Sequence, residues 1–190
     1  MSLPADKPIA LIGLPGSGKS TIGRLIARRC ELSFYDSDAV IETAQGKSVR
    51  AIFEEIGEPH FRQIETSTIE QLTSHDSGVI STGGGAILSP VNRSLLKNRC
   101  HCIYLRSRPE ELIRRLRNDK KRPLLQVADP LSALKQLFAE RDPLYQTTAT
   151  FVVDTGRPSV HAVVNTIIDY LNHLHGAPHA IAGDGPPQAH

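Results

Sequence analysis

The stretch Gly13-Leu14-Pro15-Gly16-Ser17-Gly18-Lys19-Ser20 fits the pattern G-x-x-x-x-G-K-[ST] and follows directly on the apolar run Ile9-Ala10-Leu11-Ile12. Nothing else in the sequence restricts the fold as strongly. The apolar run reads as a buried strand that ends at Gly13. From Ser20 to Arg29, Ile22, Leu25 and Ile26 stand at helical spacing. A strand, a glycine-rich turn and a helix in that order make a cradle for phosphate. The glycines let backbone N–H groups curl around phosphate oxygens, and the helix start adds partial positive charge. In such a loop Lys19 reaches the β- and γ-phosphates and Ser20 offers a hydroxyl to Mg²⁺. The plain structural alternative is a glycine-rich turn with an exposed lysine, which leaves the strand before it and the helix after it unexplained.

The rest of the chain continues the alternation. Ser33-Phe34-Tyr35, Val79-Ile80-Ser81, Cys102-Ile103-Tyr104-Leu105 and Phe151-Val152-Val153 read as strands. Helical spacing predicts helices over 38–45, 48–56, 61–73, 90–98, 109–116, 130–141 and 158–173, with Pro90, Pro109, Pro130 and Pro158 near their starts. Strands alternating with helices predict an α/β protein with a five-stranded parallel sheet. At 190 residues, 39% hydrophobic and 22% charged, the chain is long enough for one domain with its own core. We expect that domain over 1–175. The Gly-, Pro-, Ala- and His-rich segment 176–190 reads as a flexible tail. No apolar run reaches the roughly 18 residues of a membrane span, and no apolar leader precedes Ile9, so neither a membrane nor export is expected. The three cysteines, Cys30, Cys100 and Cys102, read as buried free thiols in a reducing, cytoplasmic setting.

Charge is concentrated rather than spread. Lys plus Arg number 22 against 20 Asp plus Glu, yet residues 106–122 carry eight basic side chains and three acidic ones. A local basic cluster on a near-neutral chain suits a small anionic ligand better than a nucleic acid. Its plain alternative is a solvated helix face. Within it, Arg122-Pro123-Leu124-Leu125 lies in a polar stretch, 117–129, that we expect to form a mobile lid.

Four further groups carry chemistry. Asp36-Ser37-Asp38 follows the second strand, and alternate positions of an extended segment share a face. One carboxylate could hold Mg²⁺ and the other could accept a proton from a hydroxyl; the alternative is a turn with Asp38 as helix cap. Arg62 lies one turn from Glu65, either as an arginine clamped toward an anion or as an exposed ion pair. Gly83-Gly84-Gly85 lets the backbone approach a ligand closely, or merely bends. Arg141, ahead of Pro143, reads as an arginine at a helix end, where it could simply satisfy the last carbonyls.

Taken in order, G-L-P-G-S-G-K-S-T, D-S-D-x-x-I-E (Asp36 to Glu42), G-E-x-x-F-R-x-x-E (Gly57 to Glu65), T-G-G-G-A, R-P-L-L and R-x-P-L-Y resemble the shikimate kinase family from about Ile9 to about Leu171. The resemblance implies a three-layer α/β/α P-loop NTPase fold, nucleoside monophosphate kinase-like, with a mobile lid. It implies phosphorylation of the 3-hydroxyl of shikimate by MgATP, in the route to chorismate and aromatic amino acids. Residue by residue it implies Gly16, Ser17, Gly18, Lys19, Ser20 and Thr21 on the phosphates, with Ser20 and Asp36 on Mg²⁺. Asp38 would bind the reacting hydroxyl and act as base. Arg62, Gly84 and Arg141 would hold the acceptor, with Gly83 and Gly85 shaping its pocket. Arg122 would be the lid arginine on ATP, and Arg115 and Arg157 would flank adenine. Val79-Ile80-Ser81 leads to the glycines instead of to the usual strand-end Asp of many phosphate-loop proteins, as in this family.

Three rivals stand beside this reading. One is another small kinase, for a sugar acid or a nucleoside monophosphate. Another is a nucleotide-responsive binding module without catalysis, which has no need of Lys19, Asp36, Asp38 and Arg122 together. The last is a nucleic-acid binder, poorly served by four tyrosines, five phenylalanines and no tryptophan. A monomer acting on small molecules is the expectation.

Overall fold

The computed structural model describes residues 6–116 and 127–176. Five parallel strands form one sheet in the order β2-β3-β1-β4-β5. They are β1 (Ile9–Ile12), β2 (Phe34–Asp36), β3 (Val79–Ser81), β4 (His101–Arg106) and β5 (Phe151–Asp154). The central strand β1 pairs with β3 and β4, with Ile9 opposite both Val79 and His101. At the edge, Asp36 of β2 pairs with Ser81 of β3.

Strand alternation sorts the core into two layers. Ile9 and Leu11 face α1 (Lys19–Cys30) and α7 (Val160–Gly176) through Ile22, Ile26, Val164 and Ile167. Ala10 and Ile12 face the other side, where α3 (Val49–Thr73), α4 (Pro90–Arg99), α5 (Pro109–Leu116) and α6 (Pro130–Thr148) supply Ile69, Leu96, Leu112 and Tyr145. Each fully buried aliphatic side chain contributes about 1.5–3 kcal/mol, so these two layers dominate stability. The result is the expected three-layer α/β/α fold. A smaller cluster of Ile41, Ile52 and Phe61 joins α2 (Ser37–Gln45) to α3.

Several boundaries differ from the sequence expectation. The helices expected over 48–56 and 61–73 form one run, broken in direction at Gly57 (φ 77, ψ 166). The helix expected to stop at Arg141 runs on to Thr148 with Pro143 inside it. Tyr145 and Thr148 are buried there, and their burial outweighs the ladder bond that proline removes. Consequently Arg141 is not a helix-end residue. The last helix starts at Val160 rather than at Pro158, because Ser159 caps it by accepting a hydrogen bond from Ala162 N. Ten of the lid positions, 117–126, and the tail beyond Gly176 lie outside the described residues.

Candidate active site

The strand ends of β1, β2 and β3 open into a cleft of about 690 Å³ lined by Pro15, Gly16, Gly18, Lys19, Ser20, Thr21, Asp36, Asp38, Val49, Ser81, Thr82, Gly83 and Gly84. Ligands of open parallel sheets sit at this edge. The phosphate loop reaches it through unusual backbone. Gly16 and Gly18 both have positive φ (85° and 94°), and Gly18 lies immediately before Lys19, the first residue of α1. A side chain at either position would strain the loop. Lys19 is 8% exposed, and its Nζ donates to the carbonyls of Gly13 (2.8 Å) and Leu14 (3.0 Å). The loop therefore holds the ammonium along its own inner wall, where a bound phosphate can share it. Ser17, within the loop, is wholly buried, and its Oγ has no hydrogen-bond partner among the described residues.

Ser20 and Asp36 stand side by side at the edge of the cleft. Ser20 Oγ donates to Asp36 Oδ2 at 2.7 Å and lies 3.2 Å from Ser81 Oγ. Ser81 is a member of this group that sequence reasoning passed over; its signal was its place at the end of a strand next to β1. Asp36 also has a structural task. Its Oδ1 accepts from the N–H groups of Asp38 (3.2 Å) and Ala39 (3.4 Å), so Asp36, and not Asp38, caps α2. The chain is already helical from Ser37, so the two carboxylates reach the cleft as a cap and a first-turn residue, not as alternate positions of a strand. Asp38 is held above the ordinary carboxylate range by burial first and by the Asp36 charge second, with Lys19 opposing.

The residues that the resemblance assigns to the acceptor come from α2, α3, α6 and the glycine turn, and of them Arg62, Gly85 and Arg141 stand behind the residues that line the cleft. Arg62 Nη1 donates to Glu65 Oε2 at 2.7 Å, while its Nε and Nη2 donate to Glu58 Oε1 at 3.2 and 3.0 Å. Glu65 is 1% exposed, so the exposed-pair alternative is excluded. Burial pushes the Glu65 carboxyl upward despite the Arg62 hydrogen bond and charge. Arg141 Nη1 donates to the Gly84 carbonyl at 2.9 Å, and its buried Nε has no partner among the described residues. Tyr145 OH donates to the same carbonyl at 2.7 Å, a contact sequence reasoning missed although Tyr145 stood within the R-x-P-L-Y stretch.

The glycine triplet binds these parts together. None of the three has positive φ, so space rather than backbone freedom demands glycine here. A Cβ on Gly83 would come 2.7 Å from Asp38 Oδ1, one on Gly84 2.8 Å from Pro15 Cδ, and one on Gly85 2.8 Å from Arg62 Cζ. Gly83 N–H donates to Ser37 Oγ at 3.0 Å, which gives the middle residue of Asp36-Ser37-Asp38 a role the sequence did not reveal.

On the far side, Arg115 Nη2 donates to the Thr155 carbonyl, and Nη1 donates to Thr155 Oγ1 (3.3 Å) and Ser107 Oγ (3.4 Å). Arg157 lines a separate cavity of about 420 Å³ with Arg108, Glu111, Asp154 and Pro158. Arg122 lies outside the described residues.

Comparison with known proteins points to one family. The family profile described as shikimate kinase matches residues 15–172. A shikimate kinase of Burkholderia lata is 48% identical over 163 residues, 86% of this chain and 89% of that protein. A shikimate kinase of Acinetobacter baumannii, solved in complex with shikimate, superposes with a TM-score of 0.85 at 37% identity, covering 90% of this chain and 96% of that one. The Bacteroides thetaiotaomicron shikimate kinase superposes with a TM-score of 0.80 at 31% identity over 87% of this chain and 98% of its own. The chain belongs to the shikimate kinase family, whose members are ATP-dependent phosphotransferases acting on an alcohol group.

Proposed function

We propose that this kinase transfers the γ-phosphoryl group of ATP to the 3-hydroxyl of shikimate, with both substrates meeting in the one cleft that the phosphate loop, Asp38 and the glycine turn line. The observation that carries the residue assignment is Asp38. Its carboxylate shares the cleft with Lys19 and lies against Gly83, beside the buried Glu65 that clamps Arg62. A carboxylate above its ordinary pKa, facing a cationic phosphate loop, is suited to receive a hydroxyl proton. The shikimate bound to the Acinetobacter relative supports the acceptor.

In this reading the N–H groups of Gly16 to Thr21 and the Lys19 ammonium hold the phosphates. Asp38 takes the proton as the acceptor oxygen bonds to phosphorus and ADP leaves. Arg62 and Arg141 orient the acceptor carboxylate; the Arg141 Nε–H, without a partner among the described residues, is a donor suited to that carboxylate. Ser20 and Asp36 would hold Mg²⁺, and their hydroxyl and carboxylate at 2.7 Å are the hard oxygen donors that ion prefers. When bound, Mg²⁺ neutralises charge on the phosphate oxygens. Arg115 with the Thr155-to-Pro158 turn, Arg157 included, would flank adenine, and Arg122 would reach the ATP phosphates from the 117–129 lid.

One domain over 1–175, working as a monomer in the cytoplasm, completes the proposal. The three cysteines are free thiols held buried. No described helix is long and apolar enough to cross a membrane. The test is ADP release with shikimate, quinate and gluconate offered separately. Turnover with shikimate and near silence with the others is expected; equal turnover of gluconate would overturn the acceptor assignment.

A further inference from the structure

Consecutive helix positions are turned by about 100°, so Arg141 and Asp142 of α6 meet different neighbours. Arg141 faces the glycine turn. Asp142, 8% exposed, faces the end of β4 and gathers four donors. Its Oδ1 accepts from Tyr104 OH at 2.8 Å and from Arg106 Nε at 2.9 Å. Its Oδ2 accepts from Arg106 Nη2 at 3.0 Å and from Gln146 Nε2 at 2.6 Å. We propose that Asp142 is a positioning residue for acceptor binding: its carboxylate ties α6 to the end of β4 and thereby sets where Arg141 stands against the Gly84 carbonyl. This rests on the reading that Arg141 holds the acceptor carboxylate.

Three observations carry it. The tie lies at the weakest point of the helix, because Pro143 next to it cannot donate to the backbone ladder. It also spans about two turns: Arg106 lies over the Phe138 ring at 5.4 Å from its centroid, and Gln146 joins from the turn beyond. Finally, the β4 tie and the glycine contact are mechanically linked. Tyr104, which donates to Asp142, stacks on Tyr145 at 4.8 Å, and Tyr145 shares the Gly84 carbonyl with Arg141. Burial alone would raise the Asp142 carboxyl; the bonds from Arg106, Tyr104 and Gln146 hold it below its ordinary value, consistent with a permanent anion. The alternation of β4 puts Tyr104 and Arg106 on the same face, so both reach α6 together.

The experiment is a double-mutant cycle on the whole chain, with KM for shikimate and for ATP measured in each variant. Asp142→Asn keeps the shape but turns an NH₂ toward existing donors. It should raise the shikimate KM about tenfold and leave the ATP KM within about twofold. In an Arg141→Ala background the same change should add nothing to the shikimate KM. Equal rises for both substrates, or full multiplication of the two effects in the double variant, would overturn the positioning role. A large Arg141→Ala effect with a silent Asp142→Asn would overturn it while sparing the acceptor assignment. An Arg141→Ala enzyme with normal shikimate KM would overturn both. If Asp142→Asn does not fold, Arg106→Leu, at a half-exposed position, serves instead. It should give about a threefold rise confined to shikimate, largely reversed in Arg106→Lys, and a rise shared by ATP or absent would overturn the proposal.

Discussion

The phosphate side and the acceptor side of this cleft are built in opposite ways. The phosphate side is a run of consecutive residues, and most of what it offers is backbone N–H, shaped by Gly16 and Gly18. The proposed acceptor side draws on α2, α3, the glycine turn and α6, and what it offers is side-chain charge. A backbone cradle survives most side-chain changes, with Lys19 its chief exception. A cluster of buried charges is fragile, since removing one member strands another away from water. Substitutions on the two sides should therefore differ in which kinetic constant they move.

The hardest blow to that contrast is Lys19→Met. It should cut kcat by about 10³-fold with the fold intact by circular dichroism, because a fixed cation on the transferring phosphoryl group is lost. Near-normal turnover would remove the phosphate side from the chemistry. Next comes Asp38→Asn, with kcat down about 10²-fold and a nearly unchanged Mg²⁺ response. In the parent enzyme kcat should fall as pH drops through a carboxyl raised above the ordinary range, since only the ionised form accepts a proton. For stability the sign reverses. A raised carboxyl contributes most below its unfolded pKa and loses that contribution as pH climbs through its folded pKa. So Asp38→Asn should melt higher than the parent at pH 7, a trade of stability for activity that calorimetry can check. Asp36→Asn keeps a competent helix cap, so its effect should fall on the Mg²⁺ concentration needed for half-maximal rate.

Smaller effects sharpen the acceptor side. Arg62→Ala should raise the shikimate KM about thirtyfold, leave the ATP KM within about twofold, and lower the melting temperature because Glu65 loses its cation. Equal changes in both KM values would make Arg62 structural only. Smallest is Glu58→Gln. Glu58 is 58% exposed and should be worth less than about fivefold in shikimate KM, as expected of a solvated pair. A larger effect would mean that the outer half of the clamp, and not buried Glu65, aims the arginine.

The same contrast explains what the sequence could tell. The phosphate loop was legible because its function depends on local order, and so was the alternation that builds the sheet. Asp36 and Asp38 were assigned to the right neighbourhood on a mistaken backbone, since the helix begins at Ser37 and the cap is Asp36. Pro143 looked like a stop because its cost is local while the burial of Tyr145 and Thr148 that offsets it is tertiary. Ser37, Ser81 and Tyr145 carry no signal as residue types. They matter through the strand ends and the glycine turn beside them, which only the fold supplies.

The Gly83-Gly84-Gly85 turn has a consequence in the dimension of thickness. It is a spacer one backbone wide, with Pro15 of the phosphate loop against Gly84 and the Arg62 guanidinium against Gly85. The wall between these neighbours is thus as thin as a polypeptide can make it, with no room for even one Cβ. One methyl group adds about the 1 Å by which a reacting pair can be misplaced before rates fall a hundredfold. A side chain at any of the three positions would therefore reshape the cleft indirectly, by displacing Asp38, Pro15 or Arg62 in turn.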